Sequence, residues 1–246
     1  MANPVLTNQF GTAKEPTSGH APIVDTGDTM TMSSVLRQTG LLFLLLVAAA
    51  VYGWSQAVTG TLGPIFWGSF IATLVLLLVT MIKPQWVKVT APLYALAEGV
   101  LVGAISHIYA DAFDGIVVQA VLATFAVFVA MLVLYANRIV KVTDRMRSTI
   151  MLATVGVFVF YLISIGLSLF GVDIPFVWDG GPLSILLSVA IVGIASFNLL
   201  LDFDTIERGI NNRAPAWMSW FAAFGLMVTV VWLYLEILRL LALTRD

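Results

Sequence analysis

Seven apolar runs, each long enough to cross a bilayer as a helix, constrain this chain more than any other feature. About 20 apolar residues make a helical span, and a helix satisfies its own backbone groups inside the hydrocarbon. Of the 246 residues, 60% are apolar and only 11% are charged, whereas about 25% are charged in soluble domains. We therefore predict an all-α integral membrane protein. The predicted spans are Leu41–Val58, Leu62–Ile82, Thr90–Ile108, Gly115–Ala136, Thr149–Gly171, Leu183–Leu201 and Ala216–Leu243.

The residues before the first span differ sharply in composition from the rest. Residues 1–36 are polar and rich in Thr, Gly, Pro and Ser, and such a segment cannot bury enough apolar surface to offset the entropy of ordering it. We predict a disordered cytoplasmic tail over residues 1–36 and a membrane domain over residues 37–246. The polar stretch precedes the first apolar run, which is the reverse of a signal peptide.

Basic residues fall unevenly between the predicted spans, and this asymmetry predicts the orientation. Only Arg239 and Arg245 lie on the side that holds the C-terminus. The loops of that side carry Asp111, Asp114, Asp173 and Asp179 instead. We predict a multi-pass protein of the plasma membrane with its N-terminus in the cytoplasm and its C-terminus outside. The other ten basic residues are Lys14, Arg37, Lys83, Lys88, Arg138, Lys141, Arg145, Arg147, Arg208 and Arg213.

Composition and motifs exclude several classes of function. A net charge of −2 and a pI near 5.6 give no basic field for a nucleic acid. The absence of cysteine excludes disulfides, thiolate metal sites and thiol nucleophiles. His107 has no second histidine within the bundle, so it is a weak candidate for a metal ligand. With no phosphate loop and no nucleophile–base pair, we predict no enzymatic activity and no cofactor.

Glu98 is a carboxylate in the third span, where burial of an ionisable group costs about 2.5–3.5 kcal/mol on insertion scales. Gly99 and Gly103 follow it, and small residues let another helix approach closely. We expect Glu98 to face the bundle interior. Two roles stay open for it: a structural carboxyl between helices, or a group in a permeation or proton pathway.

Further polar residues lie at the end of the sixth span and within the seventh. Asn198 and Asp202 are four apart and share a helix face, whereas Asp204 is turned about 200° from Asp202, so only one of the two aspartates should point inward. The outward one would be an ordinary interfacial residue. Glu236 and Arg239 are three apart, and they either neutralise each other or take part in function.

Four segments, spread from the third span to the end of the seventh, together resemble the Bax inhibitor-1 (transmembrane BAX-inhibitor-motif) family, in its bacterial Bax inhibitor-1/YccA branch. The likeness covers almost everything from the first span to Leu243. The segments are Ala91-Pro-Leu-Tyr-Ala-Leu-Ala-Glu98-Gly99, Gly115-Ile-Val-Val-Gln-Ala-Val-Leu-Ala-Thr-Phe, Asn198-Leu-Leu-Leu-Asp202-Phe-Asp204-Thr-Ile-Glu207 and Trp232-Leu-Tyr-Leu-Glu236-Ile-Leu-Arg239-Leu-Leu.

The resemblance implies a seven-helix bundle in which the last helix is surrounded by the other six, and a pH-sensitive calcium leak. It also implies an acidic pH sensor, for which Asp204 and Glu236 match the two positions. Two departures from the family pattern matter. The pair is separated by 31 residues, more than in the better-known branch, and Leu62–Ile82 lacks the basic latch residue of the second helix. Arg239 is a candidate substitute for that latch.

Physically, two carboxylates that meet in a low-dielectric bundle share one proton, which makes a gate that responds near physiological pH. The leading prediction is therefore a cation leak channel, with calcium as the permeant ion, gated by carboxylate protonation. Asp202, Glu98, Arg239 and Asn198 are predicted to line or support the pathway. Two alternatives stay open: a regulatory partner of a membrane-anchored AAA protease or stress machinery, and a proton-coupled transporter.

Overall fold

A computed structural model describes residues 29–60, 62–171 and 181–245. The tail up to residue 28 and the outer-loop residues Asp173 and Asp179 lie outside the described residues. A short 3-10 turn, Pro84–Trp86, precedes the third long helix. The long helices are α1 (Met32–Val58), α2 (Leu62–Ile82), α3 (Val87–Ala112), α4 (Ile116–Ala136), α5 (Asp144–Leu169), α6 (Pro182–Asn211) and α7 (Trp217–Leu243).

These seven helices confirm the all-α membrane fold, because each is long and apolar enough to span a bilayer. Several extend beyond their apolar runs, since hydropathy marks only the lipid-embedded part of a helix. The helix α1 begins at Met32, where the Thr31 hydroxyl accepts a hydrogen bond from the Ser34 N–H at 3.2 Å. Residues 32–36, which composition assigns to the tail, are therefore helical.

The last helix is central in the bundle, although it is not surrounded equally by all six others. The helix α7 packs against α1, α3, α4 and α6, whereas α2 packs mainly on α3 and α5 packs mainly on α6. The helix α5 reaches α7 through Tyr161, which bonds to Glu236 and Arg239. This corrects the expectation that all six other helices surround α7 equally. The helix α5 has few tightly packed neighbours, and its attachment depends on specific side chains.

The closest helix contact joins α1 and α3 through glycines. A Cβ on Gly103 would lie 1.9 Å from the Ala50 carbonyl oxygen, and one on Gly53 would lie 2.1 Å from the Val100 carbonyl oxygen. No side chain fits between backbones this close, so the small residues after Glu98 serve helix packing as the sequence predicts.

Successive helices alternate in direction, so the bundle has two distinct ends. At the end where α1 begins, which we call the N-terminal end, the Met30 N–H donates to the Ala214 oxygen at 2.8 Å. At the opposite, C-terminal end, Arg245 Nη1 donates to the backbone carbonyl oxygen of Asp114 at 2.9 Å. The connections rich in Lys and Arg thus share one end.

Candidate functional site

Three polar side chains spaced seven residues apart lie on one face of α5. Seven residues make about two helical turns, so Arg147, Thr154 and Tyr161 form a single row, which we call the α5 polar face. Each of them bonds to a polar residue of α6 or α7. The polar face therefore joins a loosely packed helix to the two helices that hold most of the candidate site residues.

At the N-terminal end of this row, Asp204 of α6 forms ion pairs with two arginines. Arg147 donates to its Oδ2 from α5, and the Arg208 Nε lies 2.7 Å from the same oxygen, one turn along α6. The Asp204 residue is 9% exposed. On the next turn, Glu207 accepts a hydrogen bond from Tyr135 of α4. Asp204 is thus a buried carboxylate compensated by two cations.

In the middle of the row, the uncharged side chains of Thr154 and Asn198 are joined by a hydrogen bond. The Asn198 amide donates to the Thr154 hydroxyl at 2.7 Å and also to the Ile194 carbonyl oxygen at 2.9 Å. Asn198 therefore faces α5, and its role in this structure is to attach that helix to α6.

At the far end of the row, Tyr161 lies between an acid and a base of α7. Its hydroxyl donates to Glu236 Oε1 at 2.6 Å and accepts from Arg239 Nη1 at 2.7 Å, while Trp232 Nε1 donates to Oε1 at 3.2 Å. The second carboxylate oxygen of Glu236 is 3.8 Å from Arg239 Nη1. Both charged residues are buried. As the spacing suggested, the pair compensates itself, with Tyr161 as the bridge.

Asp204 and Glu236 do not meet. Asp204 lies seven residues before the end of α6, and Glu236 lies nineteen residues after the start of α7. At about 1.5 Å per residue, this places them about 18 Å apart along the bundle axis. The expected proton-sharing pair is therefore replaced by two carboxylates that have separate partners, because the long link between them lies mostly within α7.

Both aspartates of α6 face a neighbouring helix, which corrects the expectation that only one of them points inward. Asp204 faces α5, whereas Asp202 faces α7, where its Oδ1 lies close to Gly225 and its carboxylate interacts with Thr229. The reason is that α6 lies between α5 and α7, so residues on opposite faces are each buried by a different helix. The Asp202 Oδ2 atom is buried, with no hydrogen-bond partner among the described residues.

Glu98 faces away from the glycine contact with α1. Its carboxylate interacts with Tyr94, one turn earlier on α3, and with Thr73 of α2. The Tyr94 ring packs edge-on against Phe224 of α7, with ring centroids 4.9 Å apart. Glu98 is eleven residues into α3 and Asp202 is nine residues from the end of α6, so both lie about 14–17 Å from the N-terminal end.

The structure thus divides the predicted site residues into two groups. Asp204, Glu236, Arg239 and Asn198 bond to the α5 polar face. Asp202 faces α7 and Glu98 faces α2, and neither makes an ion pair within the described part of the chain. Sequence reasoning missed the polar face itself, although the seven-residue spacing of its members was a visible signal. Within the described ranges, no group of three acidic or histidine side chains is arranged to hold a metal ion.

Comparison with known proteins identifies the family of this chain. A family model described as Bax inhibitor 1 like matches residues 3–246, which is nearly the whole chain. No curated protein and no solved structure matches it.

Proposed function

This chain belongs to the Bax inhibitor 1 like family, and from that premise we propose that it is a pH-sensitive cation leak channel of the plasma membrane with calcium as the permeant ion. The observation that carries the proposal is the position of Asp202 and Glu98. These two carboxylates lie at nearly the same depth, Asp202 against α7 and Glu98 between α3 and α2, and neither forms an ion pair with any described basic residue.

An uncompensated carboxylate inside a bilayer is costly unless something neutralises it. A passing cation does so, and carboxylate oxygens are ligands that calcium prefers. Asp202 has Thr229 beside it, and Glu98 has Tyr94 and Thr73. We place the cation pathway along the turn of α7 that contains Phe224 to Thr229, between α3 and α6.

The two arginines at Asp204 close the N-terminal end of this pathway in our proposal. Asp204 lies two residues beyond Asp202 along α6 and gathers the guanidinium groups of Arg147 and Arg208. Their positive charge repels a cation that approaches Asp202. Their bonds also keep α5 against α6, so opening requires the α5 polar face to separate from its partners.

The expected sign of the pH response follows from these ion pairs. Loss of the negative charge of Asp204 would release Arg147 and Arg208, both of which have partly exposed side chains that can turn toward water. A proton on Glu236 likewise weakens the contacts with Tyr161 and Arg239. Each event loosens one end of α5, so the leak increases as the pH falls.

Calcium flux into liposomes containing the purified protein, measured over a pH series, tests this proposal with two matched variants. D204N keeps the shape but loses the charge that attracts the arginines, so its flux should be high and nearly independent of pH. D202N should fold normally but conduct poorly at every pH. Wild-type flux that does not change with pH, or a D202N variant that conducts as well as the wild type, contradicts the proposal.

A proton-coupled transporter is the second candidate, because the buried Oδ2 of Asp202 is also placed to carry a proton. A transporter would accumulate substrate against its gradient when a pH gradient is imposed, whereas a leak would only dissipate gradients.

The third candidate is a regulatory partner of a membrane-anchored protease. Its supporting feature is the contact of Met30 with Ala214, which connects the start of α1 to the α6–α7 turn. Deletion of residues 1–28 should spare a leak but abolish such regulation.

A further inference from the structure

A long apolar groove lies on the side of the bundle away from α5, between α1 and α4. These two helices do not pack closely on each other, and the gap between them has a volume of about 790 Å³. The bottom of the groove is formed by buried residues of α3 and α7, among them Val102, Val231 and Tyr234. None of the residues assigned above to the cation pathway or to the α5 polar face lines it.

The groove opens sideways at the depth of the hydrocarbon. Its edges are Val47 and Val51 on α1 and Val121 and Phe125 on α4, all of which are more than half exposed. Along α1 it extends from Thr39 to Trp54, a rise of about 22 Å. One leaflet of a bilayer has a hydrocarbon depth of only about 15 Å, so the groove is long enough to hold a chain from that leaflet along its full depth.

Water is a poor occupant of most of this groove because the polar groups along its middle are already bonded. Only at its far end does Thr39 carry a buried hydroxyl with no hydrogen-bond partner among the described residues. Ser106 and Tyr234 are bonded to each other at 2.6 Å, and the Thr124 hydroxyl donates to the Ala120 carbonyl at 2.7 Å. A water molecule needs two to four polar partners, and apolar cavities stay dry. An empty groove would lose dispersion contacts along both walls.

We propose that this groove binds one acyl chain of a membrane phospholipid, from the leaflet at the Trp54 end. The groove is continuous with the lipid-facing surface of the seven spans, and its lining is mostly apolar. At its end, Trp54 packs edge-on against His107, with ring centroids 5.1 Å apart. Tryptophan favours the headgroup level, so this pair marks where the glycerol and headgroup lie. The chain then runs inward over Ser106 and Tyr234, whose hydrogen bond joins α3 to α7.

Photolabelling tests the proposal without reference to ion flux. The protein is reconstituted with a phosphatidylcholine that carries a diazirine in one acyl chain, irradiated, and mapped by mass spectrometry of its peptides. The diagnostic positions are Val231 and Tyr234 at the bottom of the groove, which are 5% and 8% exposed, because lipid that merely surrounds the protein reaches them poorly. We expect them to be labelled at least as strongly as Val155, a lipid-facing residue of α5 that is 57% exposed.

Two tryptophan substitutions on α4 provide the matched control. V121W fills the groove from its edge and should reduce labelling of Val231 and Tyr234 several-fold. V118W alters a residue that is 63% exposed and does not line the groove, so labelling should be unchanged. Labelling confined to exposed positions in the wild type would overturn the proposal. Protection of Val121 and Phe125 relative to Val155 would also overturn it, since a protein partner or second copy would then cover the groove.

Discussion

Substitution of Gly103 by alanine should destabilise the bundle strongly, because the added methyl group has no space. Its Cβ would lie 1.9 Å from the Ala50 oxygen and 2.6 Å from the Ala50 carbonyl carbon. Both atoms belong to the α1 backbone, so the two helices must separate by more than an ångström. Overpacking of this kind costs about 1–3 kcal/mol, which at about 2–4 °C per kcal/mol lowers the melting temperature by roughly 2–12 °C. We place G103A in the upper half of that range.

Thermal unfolding in detergent, followed by tryptophan fluorescence, measures this effect, and G156A is its control. Gly156 lies on α5, where an added Cβ would meet no other atom within 4 Å, so alanine there should leave the melting temperature unchanged or raise it slightly. Equal melting temperatures for G103A and G156A would refute the close contact between α1 and α3.

Three further predictions concern the polar groups and the orientation. Y161F removes the hydroxyl that bridges Glu236 and Arg239, so we expect a loss of about 1–3 kcal/mol in stability and a raised leak. Neither should occur in the control Y52F, because Tyr52 lies on α1 and is 51% exposed. E98Q keeps its shape but loses its charge, so flux should fall in a protein whose melting temperature is near normal; unchanged flux would remove Glu98 from the pathway. In this cysteine-free chain, D114C should react with a membrane-impermeant thiol reagent on intact cells and T143C should not, and the reverse pattern would invert the proposed orientation.

Hydropathy and small-residue patterns predict the spans and the close helix contact well, because both depend on local sequence. The apolar run that ends at Leu201 locates the sixth span, but α6 continues to Asn211. Its polar last turns therefore carry Asp204 and Arg208 on the same helix as Asp202, beyond the predicted span. Hydropathy alone cannot detect such an extension, since the polar turns lie at or beyond the edge of the hydrocarbon.

The side-chain partners were harder to predict, because they depend on which helices are neighbours. Periodicity correctly separates the faces of Asp202 and Asp204, but whether both are buried depends on α6 lying between α5 and α7. The attachment of Glu236 to Tyr161 likewise depends on α5 reaching α7. The depth of Asp204 relative to Glu236, by contrast, follows from residue counts once the helix ends are known.

Holding α5 in place tests whether the leak opens when the α5 polar face separates from α6 and α7. The Thr154 hydroxyl and the Asn198 amide are 2.7 Å apart, so the double variant T154C/N198C can be bridged by oxidation or by a short thiol-reactive cross-linker. Because the chain has no cysteine of its own, only this pair reacts. We predict that the bridged protein in liposomes passes little calcium at any pH, and that reductive cleavage of the disulfide restores the increase at acidic pH. A bridged protein that leaks with the same pH response as the reduced one would show that α5 does not gate the leak.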